Sequence, residues 1–343
     1  MAAPTGTVNV NTSVPGEKRN TRVLPANAAG IAEAARLLSA GGLVAFPTET
    51  VYGLGADASD ARAVARLYEA KERPAFNPLI AHVPDIDATR AAGRLSEFAV
   101  RLAKKFWPGP LTLVVPTAPD CPVCELARAG LDTVALRMPA HPVAQPLLRA
   151  VGRPVVAPSA NRSGHVSPTR ADHVLADLGG RVDIVLDGGP TPLGLESTII
   201  DCTGTKATLL RPGAIAREAI EGVLGGSLEN ASARRGENPV SPGRLPSHYA
   251  TRARLRLDVM EVEPGEALLA FGPTQPAGAE RASQVLDLSP KGDLIEAAAN
   301  LFAHLRALDA TNTASIAVAP IPANGLGEAI RDRLMRAAAP RST

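Results

Sequence analysis

The sequence predicts an α/β fold in two parts, a large mixed α/β domain followed by a small one. Short β-rich runs bounded by proline or glycine alternate with amphipathic helical stretches from about residue 27. A polar stretch rich in glycine, serine, asparagine and proline interrupts this alternation, which then resumes. We therefore expect a first domain over residues 23–222, a linker over 223–251 and a second domain over 252–343.

In the first domain, helices are predicted where apolar residues recur at helical spacing. NAAGIAEAARLLSAGG gives a helix that ends at Gly41-Gly42, and DARAVARLYEAK gives one with Asp60 as its N-cap. Three later helices are predicted in LSEFAVRLAKKFW, VAQPLLRAVG and TRADHVLADLGG. Between them the runs LVAFP, PLIAHV, LTLVVP, TVALRMP, PVVAPS, DIVLDGG, STIIDCTG and ATLLRPG predict short strands.

The second domain repeats the alternation on a smaller scale. Strands are predicted in ARLRLDV, EALLAFG, ASQVLDL and ASIAVAP, and a final helix in GLGEAIRDRLMRAA. The segment GDLIEAAANLFAHLRALDA predicts an amphipathic helix. Its apolar face is expected to contain Leu294, Ile295, Ala298, Leu301, Phe302, Leu305 and Leu308.

Composition excludes several classes of protein. Lys and Arg number 36 against 34 Asp and Glu, so any nucleic-acid binding would need a local basic patch. There is no run of eighteen apolar residues and no signal-like start, so we expect no membrane span and a disordered tail over residues 1–22. Three cysteines fit a reducing cytosol, hence a cytoplasmic protein. The single CxxC, Cys121 and Cys124, predicts two thiols in a turn rather than a zinc site.

No familiar catalytic motif is present. The sequence contains no GxxxxGK[ST] phosphate loop, no HExxH and no GxSxG, and VYGLGAD lacks the third glycine of a dinucleotide fingerprint. Ser159 lies in APSANRSG, without the flanking glycines of a hydrolase elbow. A covalent nucleophilic mechanism therefore has little support.

Cations and hydroxyls instead cluster at predicted strand and helix ends. Lys71 and Arg73 could merely compensate the negative end of a helix, Arg137 could pair with a buried carboxylate, and His82 could be a satisfied core residue. Together with Arg211 and the hydroxyls of FPTETVYG and APSANRSGHVSPT, they indicate an anion site. Such a site suits phosphoryl or nucleotidyl transfer, in which the protein positions anions and neutralises developing charge.

Seven blocks occur in one order: FPTETVYGLGAD, KERPAFNPLIAHV, FWPGPLTLVV, ALRMPAHP, APSANRSGHVSPT, ESTIIDCTG and LLRPGAI. In these blocks the chain resembles the YrdC-like family in its two-domain form. The resemblance implies a twisted, mixed, mainly parallel sheet curved around a large cavity, and a small Rossmann-like C-terminal domain. It also implies that L-threonine, bicarbonate and ATP are converted to threonylcarbamoyl-adenylate and pyrophosphate. The adenylate would feed a tRNA-modifying transferase complex that makes t6A at position 37 of tRNAs reading codons that begin with A.

The resemblance also implies site residues. The family's K-x-R and S-x-N signature corresponds to the catalytic residues Lys71, Arg73, Ser159 and Asn161. Contacts to ATP, bound with Mg²⁺, are implied for Arg73, Asn77, Thr133, Ser159, Ser167, Arg211 and Tyr249. Contacts to L-threonine are implied for Thr50, His82, Arg137, the backbone of Ala157, and Ser197. No side chain is assigned as general base.

Two features leave alternatives open. The linker reads SPGRLPSHYAT where the family has a KYxHYAP-like segment, so His248 and Tyr249 match but closure over the site is uncertain from sequence. Glu196 could be a helix N-cap or a salt-bridge partner, and the second domain could be a lid or a regulatory module.

A hydrogenase-maturation carbamoyl-adenylate enzyme would need paired zinc-finger cysteines. A double-stranded RNA or tRNA-binding module, with weak RNA binding through SARRG and TRARLR, is the remaining alternative.

Overall fold

Eleven strands of the first domain form one sheet in the computed structural model, which describes residues 20–231 and 248–340. Most of the predicted tail, and residues 232–247 of the predicted linker, lie outside the described residues. The strands are β1 (Arg22–Pro25), β2 (Val44–Pro47), β3 (Tyr52–Asp57), β4 (Ile80–His82), β5 (Leu111–Pro116), β6 (Thr133–Arg137), β7 (Val155–Val156), β8 (Ile184–Asp187), β9 (Thr198–Asp201), β10 (Thr208–Arg211) and β11 (Glu229–Asn230).

The sheet is mixed, with the order β1-β8-β2-β3-β7-β4-β6-β5-β9-β10-β11. The ladders β1·β8, β8·β2, β4·β6, β5·β9 and β10·β11 are parallel, and the ladders β2·β3, β3·β7, β7·β4, β6·β5 and β9·β10 are antiparallel. The β2·β3 ladder is antiparallel because a short turn joins these two strands, whereas a parallel pair needs a longer crossover. β11 falls within the stretch predicted as linker.

Seven helices pack on this sheet in the described part of the first domain. They are α1 (Ala28–Ser39), α2 (Ala61–Lys71), α3 (Ile86–Ala92), α4 (Glu97–Phe106), α5 (Ala144–Val151), α6 (Ala171–Leu178) and α7 (Arg217–Leu224). The predicted N-cap of α2 is confirmed, since a carboxylate oxygen of Asp60 accepts from the Arg62 amide at 2.8 Å. At its other end, α2 stops at Glu72, whose left-handed backbone and the following Pro74 turn the chain back towards the sheet.

β3 was not predicted, because its two glycines resemble a turn or a nucleotide loop. The structure gives them a packing role instead. A Cβ at Gly55 would lie 2.9 Å from the Phe46 ring, and one at Gly53 would lie 3.1 Å from the Ala157 Cβ. Only glycine lets β3 approach its neighbours this closely, and that approach brings the 157–159 segment against the start of β3.

The second domain contains a four-stranded parallel sheet with the order β12-β15-β13-β14. Its elements are β12 (Arg254–Arg256), β13 (Ala267–Ala270), β14 (Val285–Asp287), α8 (Leu294–Ala310), β15 (Ser315–Val318) and α9 (Gly327–Ala338). The amphipathic face predicted for α8 needs one correction. Ile295 is 64% exposed, because the buried face begins at Ala297 and the first turn of the helix is left uncovered. Within the described ranges, no helix is long and apolar enough to cross a bilayer.

The two domains share a hydrophobic core. Val51, Leu195 and Tyr249 of the first domain and linker pack in one buried cluster with Leu301 and Phe302 of α8. Among the described residues, three ion pairs also cross the boundary: Arg306 to Asp177 at 2.9 Å, Arg217 to Glu328 at 2.6 Å and Arg333 to Glu196 at 2.8 Å. The second domain is therefore docked against the loops that form the candidate site.

Candidate active site

A polar cleft opens where the β2–β3 turn, the ends of β4 and β6, and the loops around β7, β9 and β10 converge. Neighbouring strands bring these ends together: His82 lies beside Arg137 in the β4·β6 ladder, and Ile199 lies beside Arg211 in the β9·β10 ladder. The cleft wall is formed by Thr50, Val51, Arg73, Ile80, His82, Arg137, Ala157, Pro158, Ser159, Glu196, Ser197, Arg211, His248 and Tyr249.

The structure gathers much of the residue set that the resemblance assigned. The wall contains Thr50, Arg73, His82, Arg137, Ala157, Ser159, Ser197, Arg211 and Tyr249. Four assigned residues are instead buried behind it, namely Lys71, Asn77, Asn161 and Ser167. Thr133 is half-buried at the start of β6, at the opposite end of that strand from Arg137.

Arg137 is held in place by Glu49, a carboxylate of the β2–β3 turn. Its Nη2 donates to Glu49 Oε1 at 2.7 Å, and both side chains are buried. The structure therefore shows Arg137 in a buried ion pair, one of the two interpretations that the sequence left open. The Nε of Arg137 is buried with no hydrogen-bond partner among the described residues. Since a buried donor rarely stays unpaired, this atom is available to an anionic ligand.

Arg211 is fixed against the segment that leads into β9. Its Nε and Nη2 donate to the Ser197 carbonyl at 3.2 and 2.8 Å, and Nη2 also lies 3.2 Å from the Ser197 hydroxyl. Gly213 makes this contact possible, because a Cβ there would lie 2.5 Å from the Glu196 carbonyl oxygen. The guanidinium is therefore oriented by backbone rather than by a carboxylate.

Lys71 does not point into the cleft, which differs from the expectation. Its Nζ donates to the carbonyls of Ser159 and Asn161, so the side chain ties helix α2 to the 159–161 segment. Burial lowers the pKa of Lys71 well below its usual value. Arg73, two residues on, does reach the wall, where it makes long hydrogen bonds to the carbonyls of Asn77 at 3.4 Å and Pro78 at 3.2 Å.

The cleft is electropositive. Arg73, Arg137 and Arg211 face it with a single wall carboxylate, Glu196, among the described residues. Burial, assisted by the charge of Arg211, lowers the pKa of Arg73 to about 10, so the guanidinium remains charged near neutral pH. Buried cations without carboxylate partners are costly, so the site favours an anionic ligand.

The linker fills part of this cleft. Tyr249 is 1% exposed, stacks on Phe302 with ring centroids 5.4 Å apart, and lies edge-on to His248. About 50 Å³ of free space remains between the wall residues. Typical ligand pockets are roughly 300–1,000 Å³. His248 and Tyr249 thus occupy this cleft and leave it nearly closed.

His82 is the wall residue whose ionisation gives a testable pH effect. Burial, assisted by the Arg137 charge, lowers its pKa to about 3, so the ring is neutral in the folded protein. Between pH 6.5 and about 3 the unfolded chain therefore binds one more proton at this residue, and folding becomes less stable as pH falls. We expect His82→Gln to remove up to about 1.4 kcal/mol per pH unit from the pH dependence of the unfolding free energy.

The measurement is denaturant unfolding of wild type and His82→Gln at a series of pH values from about 7.5 to about 5, where the unfolded histidine begins to take up its proton. Other buried histidines, such as His248 with a pKa lowered to about 3 by burial, contribute equally to both proteins. Identical slopes in the two proteins would mean that His82 takes up its proton at the same pH in the folded and the unfolded protein.

The comparison with protein families concerns both domains. Residues 36–213 match the Sua5/YciO/YrdC family model, whose description is "Telomere recombination". The chain belongs to this family. Residues 215–339 match the family described as "Threonylcarbamoyl-AMP synthase, C-terminal domain". The resemblance recognised in the sequence blocks is thereby confirmed, and so is the two-domain form.

Individual relatives cover almost the whole chain. The threonylcarbamoyl-AMP synthase of Bacillus subtilis is 43% identical over 94% of this chain and 96% of its own length. That of Pyrococcus abyssi is 42% identical over 89% of this chain and 92% of its own length. The crystal structure of P. abyssi Sua5 complexed with L-threonine superposes with a TM-score of 0.82, at 39% identity, covering 93% of this chain and 96% of that one. The mixed α/β fold of this family is thereby confirmed for both domains.

Proposed function

We propose that this chain is a threonylcarbamoyl-AMP synthase, which converts L-threonine, bicarbonate and ATP to threonylcarbamoyl-adenylate and pyrophosphate. The main support is the convergence of three arginines and several hydroxyls in one cleft. Relatives that match almost the whole chain are named threonylcarbamoyl-AMP synthase. A Sua5 structure with L-threonine bound adds the amino-acid substrate. The activity makes the chain a nucleotidyltransferase.

The triphosphate of ATP is assigned to Arg73, Arg211 and Ser159, which all line the cleft wall. Guanidinium groups suit phosphate oxygens because they donate in a planar fork. Mg²⁺ enters with ATP, and it would neutralise charge on the phosphates. The described residues contain no group of three or more His, Cys, Asp or Glu that could hold a metal, so the ion is assigned to phosphate oxygens and water. Asn77, Thr133, Ser167 and Tyr249 are kept as further ATP contacts by resemblance.

L-Threonine is assigned to the part of the wall around Arg137. The free Nε of Arg137 would donate to the substrate carboxylate, since the other side of the guanidinium is held by Glu49. His82 lies beside Arg137 and is neutral, so it can accept a hydrogen bond without adding charge. The ring is held by backbone carbonyls: its Nδ1 lies 3.2 Å from the Ile80 carbonyl, and the Val155 carbonyl also hydrogen-bonds it. Thr50, Ala157 and Ser197 complete this subsite.

The reaction follows from placing the two substrates side by side. The neutral threonine amine attacks the bicarbonate carbon and water is lost, which gives a carbamate. A carbamate oxygen then attacks the α-phosphorus in line, and the bond to pyrophosphate breaks. Arginines at the phosphates stabilise the charge of the transition state. Positioning alone contributes about 7–11 kcal/mol in well-oriented systems.

ATP requires more room than the closed cleft offers. We therefore infer that His248 and Tyr249 move out of the wall when the nucleotide enters, because they are the linker residues within it. The product would then pass to a downstream transferase complex that modifies tRNA. A cytoplasmic location, as the three cysteines suggest, belongs to the same proposal.

Pyrophosphate release tests the function. We expect release only when ATP, L-threonine and bicarbonate are all present, with carbon from labelled bicarbonate recovered in the adenylate. Omission of threonine or bicarbonate should reduce release to background. RNA retention without any ATP turnover would instead favour the double-stranded RNA or tRNA-binding module of the same fold.

A further inference from the structure

Arg333 of α9 is a fully buried cation at the boundary between the domains. Its Nε donates to Glu196 Oε2 at 2.8 Å, and its Nη2 donates to the Pro212 carbonyl at 2.9 Å. The guanidinium carbon also lies 5.4 Å from the ring centre of Tyr249. One side chain of the second domain therefore contacts the cleft wall, the loop after β10 and the linker.

Its partner Glu196 is the acidic member of the cleft wall. The other carboxylate oxygen of Glu196 accepts from the Ser167 hydroxyl at 2.6 Å. Burial opposes ionisation of this carboxyl, but the charges of Arg333 and Arg211 together lower its pKa to about 2. Glu196 is thus a carboxylate at neutral pH. An uncompensated carboxylate beside a triphosphate would repel it across a poorly hydrated space.

Arg211 is not free to compensate Glu196 by itself. Its guanidinium hydrogen-bonds Ser197, and the same group is assigned above to the phosphates of ATP. Arg333 is placed differently from Arg211. It is 0% exposed, and it lies behind Glu196 rather than in the cleft wall. Arg333 also donates from Nη1 to Asp332 at 2.6 Å, and Asp332 has a second cation in Arg336 at 3.0 Å. The charge of Arg333 can therefore offset Glu196 without taking part in phosphate binding.

We propose that Arg333 is a positioning residue of the ATP site, through which the second domain neutralises Glu196 and fixes the Glu196–Ser167 pair. This inference depends on the ATP site proposed above. It makes the second domain a constituent of the nucleotide site, rather than a lid or a separate regulatory module. The ion pair also connects the packing of α9 to the position of Tyr249 in the linker.

The first test is a double-mutant cycle on the pair. Arg333→Met should raise the KM for ATP by roughly 10- to 100-fold, because it leaves the Glu196 charge buried and unpaired. The KM for L-threonine should change by no more than about threefold. Arg333→Met/Glu196→Gln should recover most of the lost ATP affinity, since both charges are then absent. Arg333→Lys, which keeps the charge, should fall between wild type and Arg333→Met.

A pH series distinguishes charge compensation from simple loss of structure. In Arg333→Met, protonation of Glu196 at lower pH removes the unpaired charge, so the KM for ATP should fall towards wild type from about pH 8 to 5.5. Wild type and the double variant should lack this response. The charged or titratable groups that face Glu196 from the packed elements are Arg333 of α9, Arg211 of β10, and His248 and Tyr249 of the linker.

Glu328→Gln is the matched control. Glu328 lies on the same helix and pairs across the same boundary with Arg217, but it is remote from the cleft wall. It should leave the KM for ATP unchanged. A folded Arg333→Met with wild-type KM for ATP, or a double variant no better than the single one, overturns the proposal. Wild-type protein that makes no adenylate contradicts the proposed function instead, so the two failures are separable.

Discussion

Replacing Arg73 with alanine lowers kcat/KM for ATP by roughly 10²–10³-fold, the usual cost of losing one transition-state donor. Arg73 reaches the cleft wall, where it forms long hydrogen bonds to two carbonyls, at 3.4 and 3.2 Å, and interacts with the Tyr68 hydroxyl. It has no salt bridge to a described carboxylate, so its charge is available to phosphate. Because these bonds are weak, the variant should fold with nearly unchanged stability. The measurement is pyrophosphate release at varied ATP, with unfolding followed in parallel.

Arg162→Ala is the control for this experiment. Arg162 is a nearby cation that pairs with Glu72 at the surface, with 39% of its side chain exposed, and it is outside the cleft wall. Its removal should leave activity unchanged, since exposed pairs contribute roughly 0–1 kcal/mol. Near-normal turnover in Arg73→Ala would remove this residue from the phosphate site.

Lys71→Met should reduce both activity and stability, unlike Arg73→Ala. The Lys71 ammonium satisfies two carbonyls of the 159–161 segment, and each carbonyl left unpaired costs about 1–3 kcal/mol. Ser159 would then lose its fixed position in the wall. The measurement is thermal unfolding together with pyrophosphate release. A variant that is inactive but has wild-type stability would mean that Lys71 acts on the substrate directly.

The fold was predictable where apolar runs are long and bounded. The strands β5, β6 and β9 were all predicted because a buried strand with proline or polar ends has few other interpretations. β3 was missed because its glycines are needed for close packing and do not favour a strand. The helix α3 was missed because seven residues give too few turns for a periodic pattern.

The site was predictable in its cations and not in their partners. Arg137 and Arg211 stood out because a charge at the end of an apolar run is rare. Their environment depends on residues far apart in the chain: Glu49 lies 88 residues from Arg137, and Arg333 lies 137 residues from Glu196. No local pattern marks Arg333, which sits among other arginines on a helix and differs from them only in being fully buried.

Arg137→Ala should raise the KM for L-threonine by roughly 10- to 150-fold, which corresponds to losing a charge-assisted hydrogen bond of about 1.5–3 kcal/mol. The KM for ATP should change by no more than about threefold, because Arg73 and Arg211 remain. This division follows from the position of Arg137 beside His82, with its Nε unpaired. Initial rates at varied threonine and varied ATP give both constants, and equal effects on them would contradict the assignment.

A second variant separates two effects of Arg137→Ala: the loss of the guanidinium itself, and the unpaired charge that is left on Glu49. Arg137→Ala leaves Glu49 buried and unpaired, and that charge would itself repel the threonine carboxylate. The double variant Glu49→Gln/Arg137→Ala removes this repulsion, while the guanidinium that would bind the threonine carboxylate is still absent. If Arg137 binds threonine directly, the double variant keeps most of the defect in threonine KM. Full recovery in the double variant would mean that the charge balance of the wall, and not a direct contact, sets the affinity for the amino acid.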